Sequence, residues 1–256
     1  MTASVTPEST NGTTEAYYVY GIVRADAPVE VVAEAGLGDQ VELHTDGSVG
    51  ALVEAIDIDR PLGRRRDLVA HSTVLNTMAA HGPVLPMRFG AVVEGERAVV
   101  EELLAPQQEH FRELLDQVAG RVQFTLRAHY VLDTVLAEVV AAEPEIAQLR
   151  RETADLPEDA THFKRIRLGE LVSKAVDARR RADAEDLIAR ISPAVEDWVA
   201  REVAGMDTMA DFALVVASDK QAELEAAAEV LAAELDGRAR LSLVGPMALF
   251  DFVPEQ

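Results

Sequence analysis

The chain has 256 residues, 24 of them basic and 45 acidic, which gives a net charge of −21. This length favours two domains, each able to bury a core of its own, and the negative charge repels nucleic-acid phosphates and anionic lipid headgroups. We therefore expect neither nucleic acid nor a membrane as a partner. The chain contains no cysteine, which excludes disulfides and thiolate metal sites and fits a cytoplasmic location.

The first 16 residues, MTASVTPESTNGTTEA, are polar and lack the basic start and apolar run of a signal peptide. We expect segment 1–16 to be a disordered tail. The apolar runs farther along fall well short of the roughly 20 residues that cross a bilayer. The sequence therefore predicts a soluble protein.

The pattern over 17–120 predicts an N-terminal α+β domain. The run AYYVYGIVR is typical of a strand, and the pair Asp46-Gly47 between two short apolar runs predicts a hairpin. Apolar residues then recur at helical spacing, and a second amphipathic helix follows with an interruption at Pro106. The first helical face is predicted to comprise Leu68, His71, Leu75, Met78 and Ala79. This order indicates a sheet with its helices on one side.

A similar alternation over 121–256 predicts a C-terminal α+β domain with long helices. A strand is expected at 122–131, followed by a helix that Asp133 caps and Pro144 disturbs. The polar run 153–164 is typical of a loop. A long helical tract is predicted over about 165–205, with Ile166 and Trp198 on its apolar side. Strand, helix and strand complete the domain.

The segment HGPVLPMRFGAVVEG, at 81–95, places two prolines and three glycines among apolar residues. Because proline cannot donate a hydrogen bond to a sheet ladder, Pro86 restricts the segment to an edge strand, a bulge or a strand entrance. Arg88 is predicted to face the opposite side of the strand from its two apolar neighbours. An exposed edge of this kind also recruits other chains by backbone pairing. The block of interest is Leu85, Pro86, Met87, Arg88, Phe89 and Gly90, and we interpret it as structural, with partner binding as a second use.

Catalytic and metal-binding patterns are lacking. The six histidines are isolated along the sequence, without the spacing of a zinc site, and neither a nucleophile elbow nor a phosphate-binding loop is present. His71 shares a helix face with Leu68 and Leu75, so we predict a hydrogen-bonded structural histidine in preference to a ligand or general base. No cofactor or metal is predicted.

Three basic clusters interrupt the acidic background, at Arg64–Arg66, Arg150–Arg151 and Arg179–Arg181. Our preferred interpretation is that these arginines pair with neighbouring carboxylates, each pair contributing little. The alternative for Arg64, Arg65 and Arg66 is a docking site for an acidic partner surface, since guanidinium groups bind carboxylates in a fixed fork geometry.

Four segments together resemble the gas vesicle protein F/L family: VYGIV, HSTVL, VLPMRFGAVV and LVGPMALFDF. The resemblance runs over about residues 17–254, and Leu85 to Gly90 is its most specific part. Gly245 and Pro246 form a C-terminal motif. The segment that follows them departs from the commoner family form, which is aromatic-rich and contains proline.

The resemblance implies two domains, an N-terminal modified ferredoxin-like domain and a second α+β domain. It implies an accessory or minor structural protein of gas vesicles in the cytoplasm, not an enzyme, and favours the F member over L. The implied partners are the shell protein GvpA and other gas vesicle proteins, bound during assembly. Apolar shell subunits aggregate unless their surface is covered, and an acidic partner helps to keep such complexes soluble.

Two alternatives stay open. Ferredoxin-like α+β domains often bind ligands between sheet and helices, which would make the chain a small-molecule-binding regulatory module. The second alternative is a cofactor-independent enzyme that uses His71 or His129 as its base.

Overall fold

A computed structural model describes residues 15–38 and 40–253 of the chain. They divide into two compact units: one extends to Ala119 and resumes at Met247, and the other spans Gly120–Pro246. The predicted tail lies outside the described residues except for Glu15 and Ala16, which begin the first strand. The α+β class that the sequence predicts is confirmed.

The first unit alternates short strands with helices. Its elements are β1 (Glu15–Arg24), β2 (Glu42–Asp46), β3 (Val49–Asp57), α1 (Arg65–Ala79), β4 (Val84–Pro86), β5 (Val92–Glu94), α2 (Glu96–Ala98) and α3 (Gln108–Val118). A 3-10 turn at Val29–Val31 follows β1. Between α2 and α3 the chain forms a π-helical segment, Val99–Leu104, and a 3-10 turn, Ala105–Gln107. Pro106 lies in that turn, so the predicted interruption of the helix is confirmed.

The first sheet is antiparallel and has the order β2-β3-β1-β4, with β5 also paired to β1. Asp46 lies opposite Val49, which leaves Gly47 and Ser48 as a two-residue loop. Gly47 has a φ of 57°, a conformation that glycine adopts readily in hairpin turns. The predicted hairpin is therefore confirmed.

Helices cover both faces of this sheet. Six successive residues of β3, Val49 to Glu54, are buried, and successive strand residues point to opposite faces. α1 packs on one face. None of the described residues of α3 belongs to that cluster, yet α3 contacts β1 and β3, so it covers the other face. The expectation of helices on one side was wrong, because the second apolar face of the sheet also requires a cover.

The second unit has one long helical insertion. Its elements are β6 (Arg121–Tyr130), α4 (Leu132–Ala142), α5 (Pro144–Ala154), α6 (Glu158–Ile191), β7 (Asp197–Ala200), β8 (Thr208–Ala217), α7 (Gln221–Glu234) and β9 (Ala239–Met247). The sheet order is β7-β8-β6-β9. The break at Pro144 is confirmed, but the residue before α4 is Val131 and not the predicted cap, Asp133.

Two sequence predictions in this unit were wrong. The predicted loop 153–164 is mostly helical, since only the short link between Ala154 and Glu158 separates α5 from α6. The predicted helix 165–205 ends at Ile191, where a 3-10 turn that contains Pro193 follows. Trp198 lies on β7 and pairs with Leu214 of β8. Pro193 ends the helix. The residues after it form the extended strand β7 because they pair with β8.

The two sheets share one strand order. In each, the second strand is at one edge, followed by the third, the first and the fourth. The second unit has the βαββαβ element sequence of the ferredoxin-like motif, with three helices in place of the first one. In the first unit the 3-10 turn Val29–Val31 stands where that helix would be. This arrangement agrees with the modified ferredoxin-like domain that the resemblance implies.

The chain after Met247 packs into the first unit, whereas the sequence analysis assigned it to the second domain. Ala248 is buried in the cluster that α1 forms with β1. Its backbone N–H donates to Oδ1 of Asn76 on α1, at 3.0 Å. Burial of an apolar side chain and a backbone hydrogen bond therefore hold this short segment against the first unit.

Gly245 marks a close approach between β9 and β6. A Cβ atom at Gly245 would lie 2.5 Å from the ring of Phe124 and 2.9 Å from the backbone oxygen of Gln123. Real side chains do not tolerate such distances. The ring of Phe124, itself 1 % exposed, therefore occupies the space that any other residue at 245 would need.

We predict that Gly245→Ala lowers the free energy of unfolding by about 1–3 kcal/mol, the usual effect of overpacking a core. Urea unfolding followed by fluorescence of Trp198, the single tryptophan, would measure the effect in this unit. Gly169→Ala is the control, because Gly169 lies in α6 and no atom outside its own stretch of helix lies within 4 Å of its Cβ position. That substitution should stabilise the helix by about 1 kcal/mol. An unchanged midpoint for Gly245→Ala would contradict the close packing.

Candidate interaction site

The block from Leu85 to Gly90 is a bulged edge of the first sheet. Leu85 is fully buried and Met87 is 8 % exposed. The Met87 N–H donates to the backbone oxygen of Tyr20, and the Val19 N–H donates to that of Ala91, both at 2.9 Å. The three residues between these two bonds, Arg88 to Gly90, form a bulge in the pairing with β1. The predicted bulge or edge strand is confirmed, and the apolar side chains at 85 and 87 face inward.

A buried tyrosine and histidine hold this bulge. The hydroxyl of Tyr18 on β1 lies 2.8 Å from Nδ1 of His71 on α1, and the Gly90 N–H donates to the same hydroxyl at 3.3 Å. His71 also hydrogen-bonds the backbone of Met87 and contacts the ring of Phe89 edge-on. The block is therefore joined to both β1 and α1. Gly90 has a φ of 91°, which favours glycine at this turn.

Burial sets the protonation of this pair. It lowers the pKa of His71 to about 4, although the hydrogen bond to Met87 opposes the shift. Burial also raises the pKa of Tyr18 to about 12. Both groups are thus neutral at pH 7. The prediction of a buried, hydrogen-bonded histidine at position 71 is confirmed, whereas His129 lies on β6, partly exposed and 3.9 Å from Asp207.

A second buried network lies beside the first and was missed by sequence reasoning. The hydroxyl of Tyr20 donates to Oε2 of Glu54 at 2.5 Å, and the Leu37 N–H donates to the same oxygen at 2.6 Å. Glu54 is fully buried. Burial and the hydrogen bond to Glu54 raise the pKa of Tyr20. Alternating strand patterns place a glutamate on a surface, so only the packed structure reveals this carboxylate.

The Arg64, Arg65 and Arg66 cluster surrounds the start of α1. All three arginines are exposed. The Arg64 N–H donates to Oδ2 of the buried Asp67 at 2.9 Å, and Nε of Arg66 lies 3.5 Å from Oδ1 of the same carboxylate. This cap turns Asp67 inward and leaves Leu68 49 % exposed, so the predicted inward position of Leu68 was wrong. The pairing interpretation is confirmed for Arg66.

The cluster at Arg179–Arg181 also pairs within the fold. Arg179 bonds Glu138 at 2.7 Å, and Arg180 lies 3.3 Å from Asp177. Arg238, which precedes β9, donates to Glu138 of α4 and to Asp183 of α6. These arginines stabilise the helical insertion.

The C-terminal motif, Gly245 and Pro246, lies at the end of β9, an edge strand of the second sheet. Gly245 contacts Phe124 as described above. Phe250 is 37 % exposed and lies beyond β9, within the segment that packs on the first unit. The two parts of the motif region therefore belong to different units.

Large apolar side chains are exposed at one end of the α5–α6 hairpin. Phe163 is 85 % exposed, and Leu156 and Ile166 are about half exposed. Phe163 and Ile166 are three residues apart on α6, so they share one face of the helix. The sequence analysis placed Ile166 on the buried side of α6, which was wrong. We call Leu156, Phe163 and Ile166 the hairpin patch.

Another face of the same helices carries an apolar groove. It has a volume of about 490 Å³, and Leu136 and Val140 of α4 line it together with Leu168 and Val172 of α6. Val139, Ile146 and Val176 form a small separate core beneath these helices. The helical insertion therefore has its own core and two apolar surfaces.

Metal-binding clusters and membrane-spanning helices are both lacking in the described part of the chain. Residues 15–38 and 40–253 contain no group of three His, Asp or Glu side chains arranged to hold a metal ion. In this part of the chain, none of the helices combines the length and the apolar character needed to cross a bilayer.

These features define a two-unit α+β protein with structural hydrogen-bond networks and exposed apolar helical surfaces. The family model of the gas vesicle synthesis protein GvpL/GvpF matches residues 16–254. The chain therefore belongs to the GvpL/GvpF family of gas vesicle proteins, as its sequence motifs indicated.

Named relatives agree with this assignment. Gas vesicle protein F of Streptomyces sp. (strain CB03234) is 36 % identical over 171 residues, which cover 65 % of this chain and 70 % of the relative. Gas vesicle protein F of Nostoc sp. (strain PCC 7120) is 24 % identical over 231 residues, or 88 % and 92 % of the two chains. The relatives also include gas vesicle protein L1 of Halobacterium salinarum, at 27 % identity over 67 % of this chain and 59 % of that protein.

Two crystal structures share the fold. GvpF from Anabaena sp. PCC7120 has a TM-score of 0.76 at 22 % identity, with 94 % of this chain and 97 % of that chain covered. GvpF from Microcystis aeruginosa has a TM-score of 0.75 at 20 % identity, with coverage of 94 % and 100 %. The fold therefore extends over nearly the whole of each chain.

We predict that His71 makes folding pH-dependent. Its pKa in the folded chain, about 4, lies below the usual value of 6.5. Between these two pH values, His71 is therefore protonated in the unfolded chain and neutral in the folded chain. The stability that neutral His71 contributes is fully present above pH 6.5. It is lost as the pH falls toward 4, which lowers the free energy of unfolding by about 3 kcal/mol. Urea unfolding followed by near-UV tyrosine circular dichroism would measure this, since Tyr17, Tyr18 and Tyr20 all lie on β1.

His71→Gln should remove this part of the pH dependence, whatever its effect on stability at pH 7. His81→Gln is the matched control, because His81 is exposed just beyond α1. The decisive quantity is the change in unfolding free energy between pH 7 and pH 4.5. If His71→Gln and the parent chain change equally, burial of His71 does not control its protonation.

Proposed function

We propose that this chain is an accessory or minor structural protein of gas vesicles that binds the shell protein GvpA and other gas vesicle proteins during assembly. We further propose that it is the F member, acts in the cytoplasm and at the gas vesicle, and is not an enzyme. Family membership supports the gas vesicle role. The names of the relatives favour F, with gas vesicle protein F in the Streptomyces and Nostoc proteins.

The observation that carries the binding proposal is the hairpin patch. Phe163 is a large apolar side chain, yet it is 85 % exposed. It lies on a chain whose net charge is −21. Full burial of a side chain such as Phe contributes about 1.5–3 kcal/mol, and contiguous exposed apolar surface is characteristic of protein contact sites. The patch therefore offers a contact for an apolar partner on a chain whose charge resists aggregation.

In this mechanism the patch covers part of the apolar surface of a shell subunit before that subunit enters the wall. The negative charge of the chain keeps the complex soluble. The shell subunit is released into the wall when a neighbouring shell subunit buries more of its apolar surface than the hairpin patch does. No covalent chemistry is required.

Two further contacts from the sequence analysis remain proposals. Arg64, Arg65 and Arg66 are exposed, and guanidinium groups bind the carboxylates of an acidic surface in a fixed fork geometry. In the block from Leu85 to Gly90, the side chains of Leu85 and Met87 point inward, and the exposed residues are Arg88 and Gly90. We propose that partners meet this block at its turn.

We predict that Phe163→Ser combined with Ile166→Ser weakens binding of GvpA at least tenfold, a change of about 1.4 kcal/mol. The physical reason is the loss of two large apolar side chains from the contact. Capture of purified GvpA on the immobilised full-length chain at moderate salt would measure it.

Val230→Ser is the matched control, since Val230 is a 57 % exposed apolar residue of α7. It should leave capture unchanged, and both variants should unfold at the parental urea concentration because the replaced side chains are exposed. Equal capture by the parent chain and the double variant would remove the patch from the mechanism. Failure of the parent chain to retain GvpA would overturn the binding proposal itself.

A further inference from the structure

The groove between α7 and β9 has an apolar floor that lacks a cover. It has a volume of about 280 Å³. Phe124 and Leu126 of β6 contribute to the floor, and so does Leu243 of β9. Leu241 and Gly245 line it as well, so alternate residues of β9 share this face, as strand geometry requires. Leu241 and Leu243 are half-buried at the groove, whereas Phe124 and Leu126 beneath it are buried.

β9 also has a free edge. It is the last strand in the order β7-β8-β6-β9, and no other strand of the described ranges pairs with its outer side. Most of its residues are exposed or half-buried. An extended segment placed beside β9 would direct alternate side chains into the groove.

The wall of the groove has both space and charge. Ala228 and Ala232 of α7 are small residues that leave room under the helix. Glu225 and Glu229, one turn apart on α7, are exposed at the groove. Among the described residues, neither carboxylate forms an ion pair. Like charges at this helical spacing repel each other, and a cation from a partner would relieve the repulsion.

We propose that β9 accepts an added strand from another polypeptide, which carries both apolar and basic side chains on the face that it turns toward α7. The apolar side chains fill the groove above Phe124 and Leu243. A basic side chain bonds Glu225 or Glu229. This surface shares no residue with the hairpin patch, so the proposal does not depend on the binding of GvpA there.

A second copy of this chain fits the site poorly. Antiparallel pairing of two β9 strands about a two-fold axis perpendicular to the sheet keeps both α7 helices on the same face. Glu225 and Glu229 of both copies would then face one another across the seam, with no cation between them. The charge of the groove therefore favours a basic segment of a different protein.

The test uses the full-length chain and the fluorescein-labelled heptapeptide Thr-Val-Thr-Lys-Thr-Val-Thr, whose Val and Lys side chains lie on one face of a strand. Fluorescence anisotropy should show saturable binding, and the same peptide with Glu in place of Lys should not bind. Two forms of the Lys peptide, each N-methylated on alternate amides, distinguish strand addition from charge attraction. The one whose methyl groups face β9 should bind at least tenfold more weakly, because it cannot donate to the strand.

Variants of the chain locate the site. Glu225→Gln combined with Glu229→Gln, or Ala232→Phe alone, should weaken binding at least tenfold. Glu202→Gln combined with Glu223→Gln changes the net charge equally at exposed positions outside the groove and should have no effect. Absence of binding to the parent chain, equal binding by both pairs of Gln variants, or equal binding of both N-methylated peptides would each overturn the proposal.

Discussion

The burial of two tyrosine hydroxyls on β1, an inner strand of the first sheet, requires a hydrogen-bond partner for each from the residues packed around them. Tyr18 and Tyr20 lie fully buried on β1, and a buried hydroxyl without a partner costs free energy. Each hydroxyl finds its partner on a different segment: Tyr18 on α1 through His71, and Tyr20 on β3 through Glu54. A sheet, a helix and the bulge between Met87 and Ala91 are thus connected through two hydroxyl groups. The turn at Gly90 is part of this connection, which explains why an otherwise irregular segment has a defined shape.

The two units share one sheet topology but differ in the length of one connection. Both sheets have one strand order, but the connection from the first strand to the second is a short 3-10 turn in one unit and three helices in the other. The longer connection has a small core of its own around Val139, Ile146 and Val176. It also exposes apolar side chains that a shorter connection would not need. The hairpin patch lies on this added material, and the groove lies at the edge of its sheet.

The chemistry of the sites is consistent with recognition. Burial raises the pKa of Tyr18 and of Tyr20 and lowers that of His71, so all three groups are neutral at pH 7. They serve as hydrogen-bond donors and acceptors within the fold. The charged side chains on the surface and the apolar residues between them provide the means of contact with other proteins, which suits a member of a gas vesicle protein family.

The sequence by itself determined the α+β class, most of the strands and the breaks at Pro106 and Pro144, because these follow from local spacing and from the missing N–H of proline. It also determined the family, through short motifs, and the structural role of His71. Only the tertiary structure decided that Leu68 and Ile166 face solvent, that Trp198 lies on a strand, and that Glu54 is buried. Glu54 is buried because Tyr20, 34 residues away in the sequence, donates to it, and Trp198 lies on a strand because β7 pairs with β8. Leu68 faces solvent because the neighbouring Asp67 turns inward to cap α1. The hairpin patch and the groove beside β9 escaped sequence reasoning for the same reason, since periodicity shows which residues share a face but not whether another element covers that face.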